Sequence, residues 1–313
     1  MIVTPWNGKR IQKPGWYSGI PLELYHSAAI CDGPAVSSSD LRTCWLKSPA
    51  HMYSKWAENP NRIKKEATVQ MQLGTAAHFM LLGEDKFALK FIEQKETYRD
   101  KKTAEEKPWN NNADVCKAWN AEQKAKGLTI VKREQLDAIV GMAKSLALLP
   151  LVQQDIMRGE VECSGFVKDR ETGLWIKVRP DVIPTLTGDF VDLKTTTDVT
   201  DVALMSTIRT YAYHQQGALI WEVVDQIGVD HPFAQFFFIF VETAEPFCSR
   251  AFPLPQRALD DGRKQNRAML RRIAECIEQK RWPGPGDDNL NELGLSLAEY
   301  ERIEQRLKYE GIA

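Results

Sequence analysis

The chain has 313 residues, 43% of them hydrophobic and 27% charged, and a formal net charge of −1. That length can bury the core of one large domain or two modest ones, and the composition excludes a chain that is disordered as a whole. The near-neutral balance excludes attraction to nucleic acid by the whole-molecule field, so any contact with DNA has to come from local clusters of Lys and Arg.

The N-terminal MIVTPWNGKRIQKPGW has no apolar core of signal-peptide length, and no stretch approaches the roughly 18 apolar residues of a membrane span. A cytoplasmic protein with no membrane partner is expected. From Val36 to Trp56, Ser and Asp caps precede a short helical pattern that Pro49 interrupts or restarts. Leu73, Ala76, Ala77, Met80 and Leu81 predict a helix over 70–82, ended by Gly83. The segment from Glu93 to Gly127 is rich in Lys, Glu and Asn, with Trp109 and Trp119 as isolated anchors, and is expected to be a solvated, partly helical insertion. A helix follows from about Arg133 to Leu149.

The period then changes from helical to alternating. Val161 to Lys168, Leu174 to Val182 and Asp189 to Thr195 read as an antiparallel meander, broken by the turn-forming DRETG and PTLTG. A helix is expected from about Val202 to Ile227. The unbroken apolar run from Phe233 to Glu242 suits a strand covered on both faces, at the centre of the sheet. A long helix over about Gln256 to Lys280 and a polar tail with helical spacing from Leu297 to Tyr309 complete the chain. The fold class is α/β, a central mixed sheet flanked by helices with a helical N-terminal part. Its expected divisions are 1–69 (helical part), 70–283 (core, with the insertion near 93–127) and 284–313 (tail).

Strand alternation puts Trp175, Lys177, Arg179 and Asp181 on one face, with Leu174, Ile176 and Val178 on the other. The same rule puts Asp192 and Lys194 together, with Val191 and Leu193 buried opposite. Two carboxylates and an ammonium then converge at the end of one hairpin. Phosphodiester hydrolysis needs that set: hard oxygens to hold magnesium, an acidified water and positive charge for the phosphorane. Asp181 and Asp192 would hold the metal, the Leu193 carbonyl could add a ligand, and Lys194 could orient or deprotonate water or stabilise charge. Glu162 alternates with Ser164 and Phe166 and joins this cluster if the register allows. His78, one turn after Gly74, reads as a metal or phosphate ligand. Each residue alone has a plainer reading: a strand-borne Asp-x-Lys is most often a surface salt bridge, and the basic face of the last helix a solvated one. The six cysteines form no C-x-x-C pair, excluding a zinc ribbon, and read as reduced, mostly buried thiols. No G-x-x-x-x-G-K-[ST] or G-x-G-x-x-G occurs, which sets aside a nucleotide-binding loop.

R-P-D (Arg179, Pro180, Asp181), V-D-L-K-T-T (Val191 to Thr196) and Y-H-Q-Q (Tyr213 to Gln216) resemble the PD-(D/E)XK nucleases, and within them the RecE-type exonuclease VIII group of phages and prophages. G-T-A-A-H (Gly74 to His78), the G-E-V-E-C-S stretch around Glu162 and V-S-S-S-D-L…S-P-A-H add to a resemblance that runs from about Tyr25 to Pro283. It implies a restriction-endonuclease-like core and carries the catalytic roles to Asp181, Asp192 and Lys194, with Gln216 on the following helix and His78 where many relatives have Glu. It also implies a magnesium enzyme, with manganese able to substitute, that degrades one strand of linear duplex DNA from the 5′ end. A single-strand annealing recombinase as partner and a ring-like homo-oligomer around the DNA follow from it too. Two alternatives remain. A RecB-like or CRISPR-associated nuclease acting on single strands often carries a terminal cysteine cluster that is lacking here. A catalytically silent DNA-binding assembly protein should have lost one of the three central residues.

Overall fold

In the computed structural model, residues 3–62, 87, 90–161, 163–286 and 296–310 are described. Strands β1 (Val3–Pro5) and β2 (Gly15–Ser18) and the one-turn α1 (Leu22–Tyr25) precede β3 (Ala35–Ser37). The Asp40 carboxylate accepts from the N–H and the hydroxyl of Ser37, at 2.8 and 2.7 Å, so β3 passes directly into α2 (Ser38–Leu46). Pro49 restarts the helix as α3 (Pro49–Tyr53), where a missing N–H costs nothing. Leu41 of α2 and Met52 of α3 pack into the same core as the central strands. The helix expected over 70–82 lies outside the described residues.

In the insertion, β4 (Phe91–Glu93) pairs in parallel with β7 (Thr129–Val131) around a hairpin of β5 (Thr97–Arg99) and β6 (Glu106–Pro108) and the helix α4 (Asp114–Ala125). Trp109 and Trp119 are not isolated here: their rings meet edge to face at 5.2 Å. Helix α5 (Arg133–Ala147) forms where its periodicity predicts, followed by the short α6 (Pro150–Gln153).

The expected single meander is instead divided between two five-stranded sheets. With β8 (Gly159–Val161), β9 (Ser164–Lys168), β10 (Trp175–Val178), β11 (Val182–Pro184), β12 (Asp189–Thr196), β13 (Gln235–Glu242) and β14 (Ser249–Pro253), the orders are β1-β2-β9-β10-β3 and β14-β13-β12-β11-β8. The physical cause lies between β10 and β11, at Arg179-Pro180-Asp181. Pro180 has no N–H to give to a ladder, so the chain leaves one sheet there and enters the other. β12 and β13 pair in parallel, Asp192 opposite Phe238 and Lys194 opposite Phe240. β13 is internal, as its apolar run requires, but β12 is the middle strand.

Helices α7 (Asp201–Tyr211) and α8 (Tyr213–Ile227) replace the single helix expected over that stretch. They are separated by Ala212, which is left-handed at φ 47° and ψ 45°. A non-glycine residue there costs about 1 kcal/mol, which the surrounding packing has to offset. α9 (Gln256–Gln279) and α10 (Leu297–Tyr309) follow the sequence expectation.

One face of the β12–β13 pair packs Phe190, Phe236, Phe238 and Phe240 against Leu219, Ile220 and Val223 of α8 and Leu259, Leu270 and Ile273 of α9. The other packs Val191, Leu193, Ile239 and Val241 against Ile139, Met142 and Leu146 of α5. Each such side chain contributes roughly 1.5–3 kcal/mol on burial. Gly217 lets α8 settle onto the sheet, since a Cβ there would lie 2.9 Å from the Phe236 ring. Five cysteines are buried and Cys248 is exposed, all as free thiols. No described helix is long and apolar enough to cross a membrane.

Candidate active site

Asp181 follows Pro180 at the step between the sheets, and its Oδ2 accepts the Leu193 N–H at 2.8 Å. That bond ties it to β12 beside Asp192. Because strand alternation is rigid, Asp192 and Lys194 share one face, where the ammonium pairs with Asp192 Oδ2. Asp192 is only 2% exposed. From α8, Gln216 Nε2 donates to the other carboxylate oxygen, Asp192 Oδ1, at 2.5 Å. Gln215 turns away and donates to Gln265 at 3.0 Å. The close seating of α8 at Gly217 places the neighbouring Gln216 within reach of the strand.

Lys194 is half-buried, and burial disfavours its charge. Attraction to Asp192 and then Asp181 outweighs that cost and holds its pKa above the ordinary lysine value. Its Nζ also lies 5.2 Å from the centroid of the Tyr213 ring. Tyr213 sits three residues before Gln216, on the same side of α8, and stacks on Tyr211 at 5.4 Å and 20°. Arg42 reaches the same ring from α2, 5.3 Å from the centroid. Neither Tyr213 nor Arg42 was given a role from sequence. Tyr213 had a usable signal in its i, i+3 spacing to Gln216, whereas Arg42 arrives from 169 residues away from Tyr211, whose carbonyl it holds.

The face expected to carry Lys177 and Arg179 beside Asp181 does not form. β10 is buried on both sides, and Lys177 turns into the first sheet's core to donate to the Tyr25 carbonyl at 2.8 Å. Arg179 donates to the Ile20 carbonyl at 3.0 Å. The basic side of α9 is spent on ion pairs: Arg263 with Glu222, Arg267 with Asp169 and Arg271 with Glu171. Glu162 and His78 lie outside the described residues.

A desolvated ion pair commonly contributes less to stability than apolar residues of the same volume, so this pair fits chemistry better than folding. Two carboxylates gathered at one strand, with the Leu193 carbonyl adjacent, are the hard oxygen donors a divalent cation takes. Among the described residues no group of three His, Cys, Asp or Glu side chains converges, so any third side-chain ligand comes from elsewhere.

A mixed sheet covered by helices, with R-P-D leading into D-x-K across one hairpin, is the restriction-endonuclease-like fold of the PD-(D/E)XK class. The chain belongs to the family described as PDDEXK-like domain of unknown function (DUF3799), whose model matches residues 37–289. Nucleases of the PD-(D/E)XK class typically use divalent metals. Among solved structures, a candidate exonuclease from Eubacterium rectale shares the fold at a TM-score of 0.53 and 15% identity, over 84% of this chain and 91% of that one. No curated protein matches the chain.

Proposed function

We propose that the protein is a magnesium-dependent exodeoxyribonuclease, with manganese able to substitute, that degrades one strand of linear duplex DNA from the 5′ end. The observation that carries this reading is Asp192, held between Lys194 and Gln216 with Asp181 tied to the same strand. The RecE-type motifs supply the polarity, and the E. rectale relative's description agrees with an exonuclease. In this reading Asp181, Asp192 and the Leu193 carbonyl hold the metal, and His78 and Glu162 complete the site. The bound ion supplies Lewis acidity and an acidified water. Gln216 fixes Asp192 in one orientation, and Lys194, anchored by Asp192 and the Tyr213 ring, orients the water and meets the charge that develops on the phosphate. The 3′ single strand left behind would pass to a single-strand annealing recombinase, and the working form is a cytoplasmic ring-like homo-oligomer around the duplex.

The test is release of acid-soluble nucleotides from linear duplex labelled at the 5′ or the 3′ end, with magnesium or EDTA, for the wild type and Lys194→Ala. Magnesium-dependent release of the 5′ label, lost in Lys194→Ala, is expected. A folded wild type that degrades neither duplex nor single strands sinks the reading in favour of a silent DNA-binding protein, and preference for single strands favours a RecB-like enzyme.

A further inference from the structure

Beside the carboxylates stands a second cation that the reading above does not use. Arg42 projects from α2 towards the α7–α8 joint, where Nη1 donates to the Tyr211 carbonyl at 2.9 Å and Nε to the Ser38 carbonyl at 3.3 Å. Its guanidinium and the Lys194 ammonium lie over one ring, that of Tyr213. Among the described residues no carboxylate lies within ion-pair distance of Arg42, and Nη2 has no acceptor. Asp40, on the same helix, already accepts from Ser37. The adjoining Tyr211 is 54% exposed, so this corner opens to solvent.

We propose that Arg42 is a DNA-binding residue of this site, placed on the Tyr213 ring beside Lys194 to take the non-bridging oxygens of a backbone phosphate next to the one being cut. The inference rests on the nuclease reading. First, a structural tie between α2 and the α7–α8 joint needs one N–H, and an uncharged side chain could supply it without the cost of placing a cation here. Second, the planar fork leaves donors on Nη2, which suit a phosphate's paired oxygens better than a single carbonyl. Third, Asp181, Asp192, Lys194 and Arg42 sum to zero charge, and a divalent cation would make the cluster positive, as a polyanionic backbone requires. Burial lowers the Arg42 pKa, while Tyr213 and then Asp192 pull it back up, which places the guanidinium in the field of the catalytic carboxylate. Tyr213 acts as a positioning residue for both cations.

The experiment is equilibrium binding of a fluorescent blunt-ended duplex with calcium in place of magnesium, so that a divalent cation is present while cleavage is held off, at salt from about 50 to 200 mM, by the wild type, Arg42→Gln and Arg42→Lys. Arg42→Gln keeps a donor for the Tyr211 carbonyl. It is expected to weaken binding roughly tenfold at low salt and to reduce the log–log salt slope by about 1, without a change in melting temperature. Arg42→Lys should keep the slope. If Arg42→Gln melts early, Arg42→Lys decides: a kept slope with affinity below the wild type supports the forked phosphate contact, and wild-type affinity overturns it. An unchanged slope in folded Arg42→Gln overturns the inference alone. A wild type that binds no duplex overturns the nuclease reading with it.

Discussion

Two lysines on internal strands meet tyrosine rings at almost the same distance, Lys177 over Tyr25 at 5.1 Å and Lys194 over Tyr213 at 5.2 Å. Their electrostatics are opposite. Lys177 donates a hydrogen bond to a carbonyl, and burial lowers its pKa despite the opposing pull of Asp40. Lys194 is paired with Asp192 and influenced by Asp181, and its pKa is raised. The ring is common to both, so it cannot be what sets a lysine up for chemistry. A directly paired carboxylate does that: Asp40 and Glu58 act on Lys177 only at a distance, whereas Lys194 pairs with Asp192 on its own strand.

The comparison breaks most sharply at Asp192. On the reading proposed above, Asp192→Asn should lower the rate of nucleotide release by roughly 10³-fold or more, because it would remove an anionic metal ligand and removes the charged partner of Lys194 while leaving the volume unchanged. Stopped assays beside circular dichroism melts check this, and a folded variant with wild-type rate would mean that the site lies elsewhere. A smaller effect separates the two glutamines. Gln216→Ala should cost about 10- to 100-fold in activity and raise the metal concentration for half-maximal rate, as loss of a carboxylate's supporting hydrogen bond does. Gln215→Ala, whose side chain bonds to Gln265, should change stability by roughly 1 kcal/mol and leave the metal dependence alone. Equal kinetic losses in the two would undo the assignment.

The smallest effect belongs to Lys177→Met, which should leave turnover unchanged. Its signature is in stability. With a folded pKa below the ordinary 10.5, the unfolded chain binds more protons across the interval between the two values. Wild-type stability therefore rises with pH through that interval, from the lowered folded value up to 10.5, and the cost of the buried charge is fully present below it. Urea titrations across alkaline pH should show that rise in the wild type and a flatter profile in the variant. A rise of equal size in both would assign it to other groups.

Much of the core was legible because its signals are local. The β13 strand follows from its apolar run and α5, α9 and α10 from their period, and the placing of Asp192 and Lys194 on one face follows from alternation alone. What was not legible depends on distant neighbours. The division into two sheets turns on what Pro180 does within its ladder, and the break at Ala212 needs a left-handed alanine that only packing around Tyr211 and Tyr213 can support. Lys177 read as facing away from the core because a strand's two faces look alike until something covers both. Arg42 belongs to the same group, since no spacing rule links α2 to a helix joint so far along the chain.

The step at Arg179-Pro180-Asp181 has a consequence for how such a protein can diverge. Those three residues end one sheet, begin the approach to the next and present Asp181 to the Leu193 N–H. An insertion or deletion of one residue there would turn Asp181 to the opposite face and shift β11 against β12 in the same event. Length variation during descent is therefore expected outside this step, and the interval from Val178 to Val182 should remain constant among copies that keep the site, however far the rest of their sequences drift.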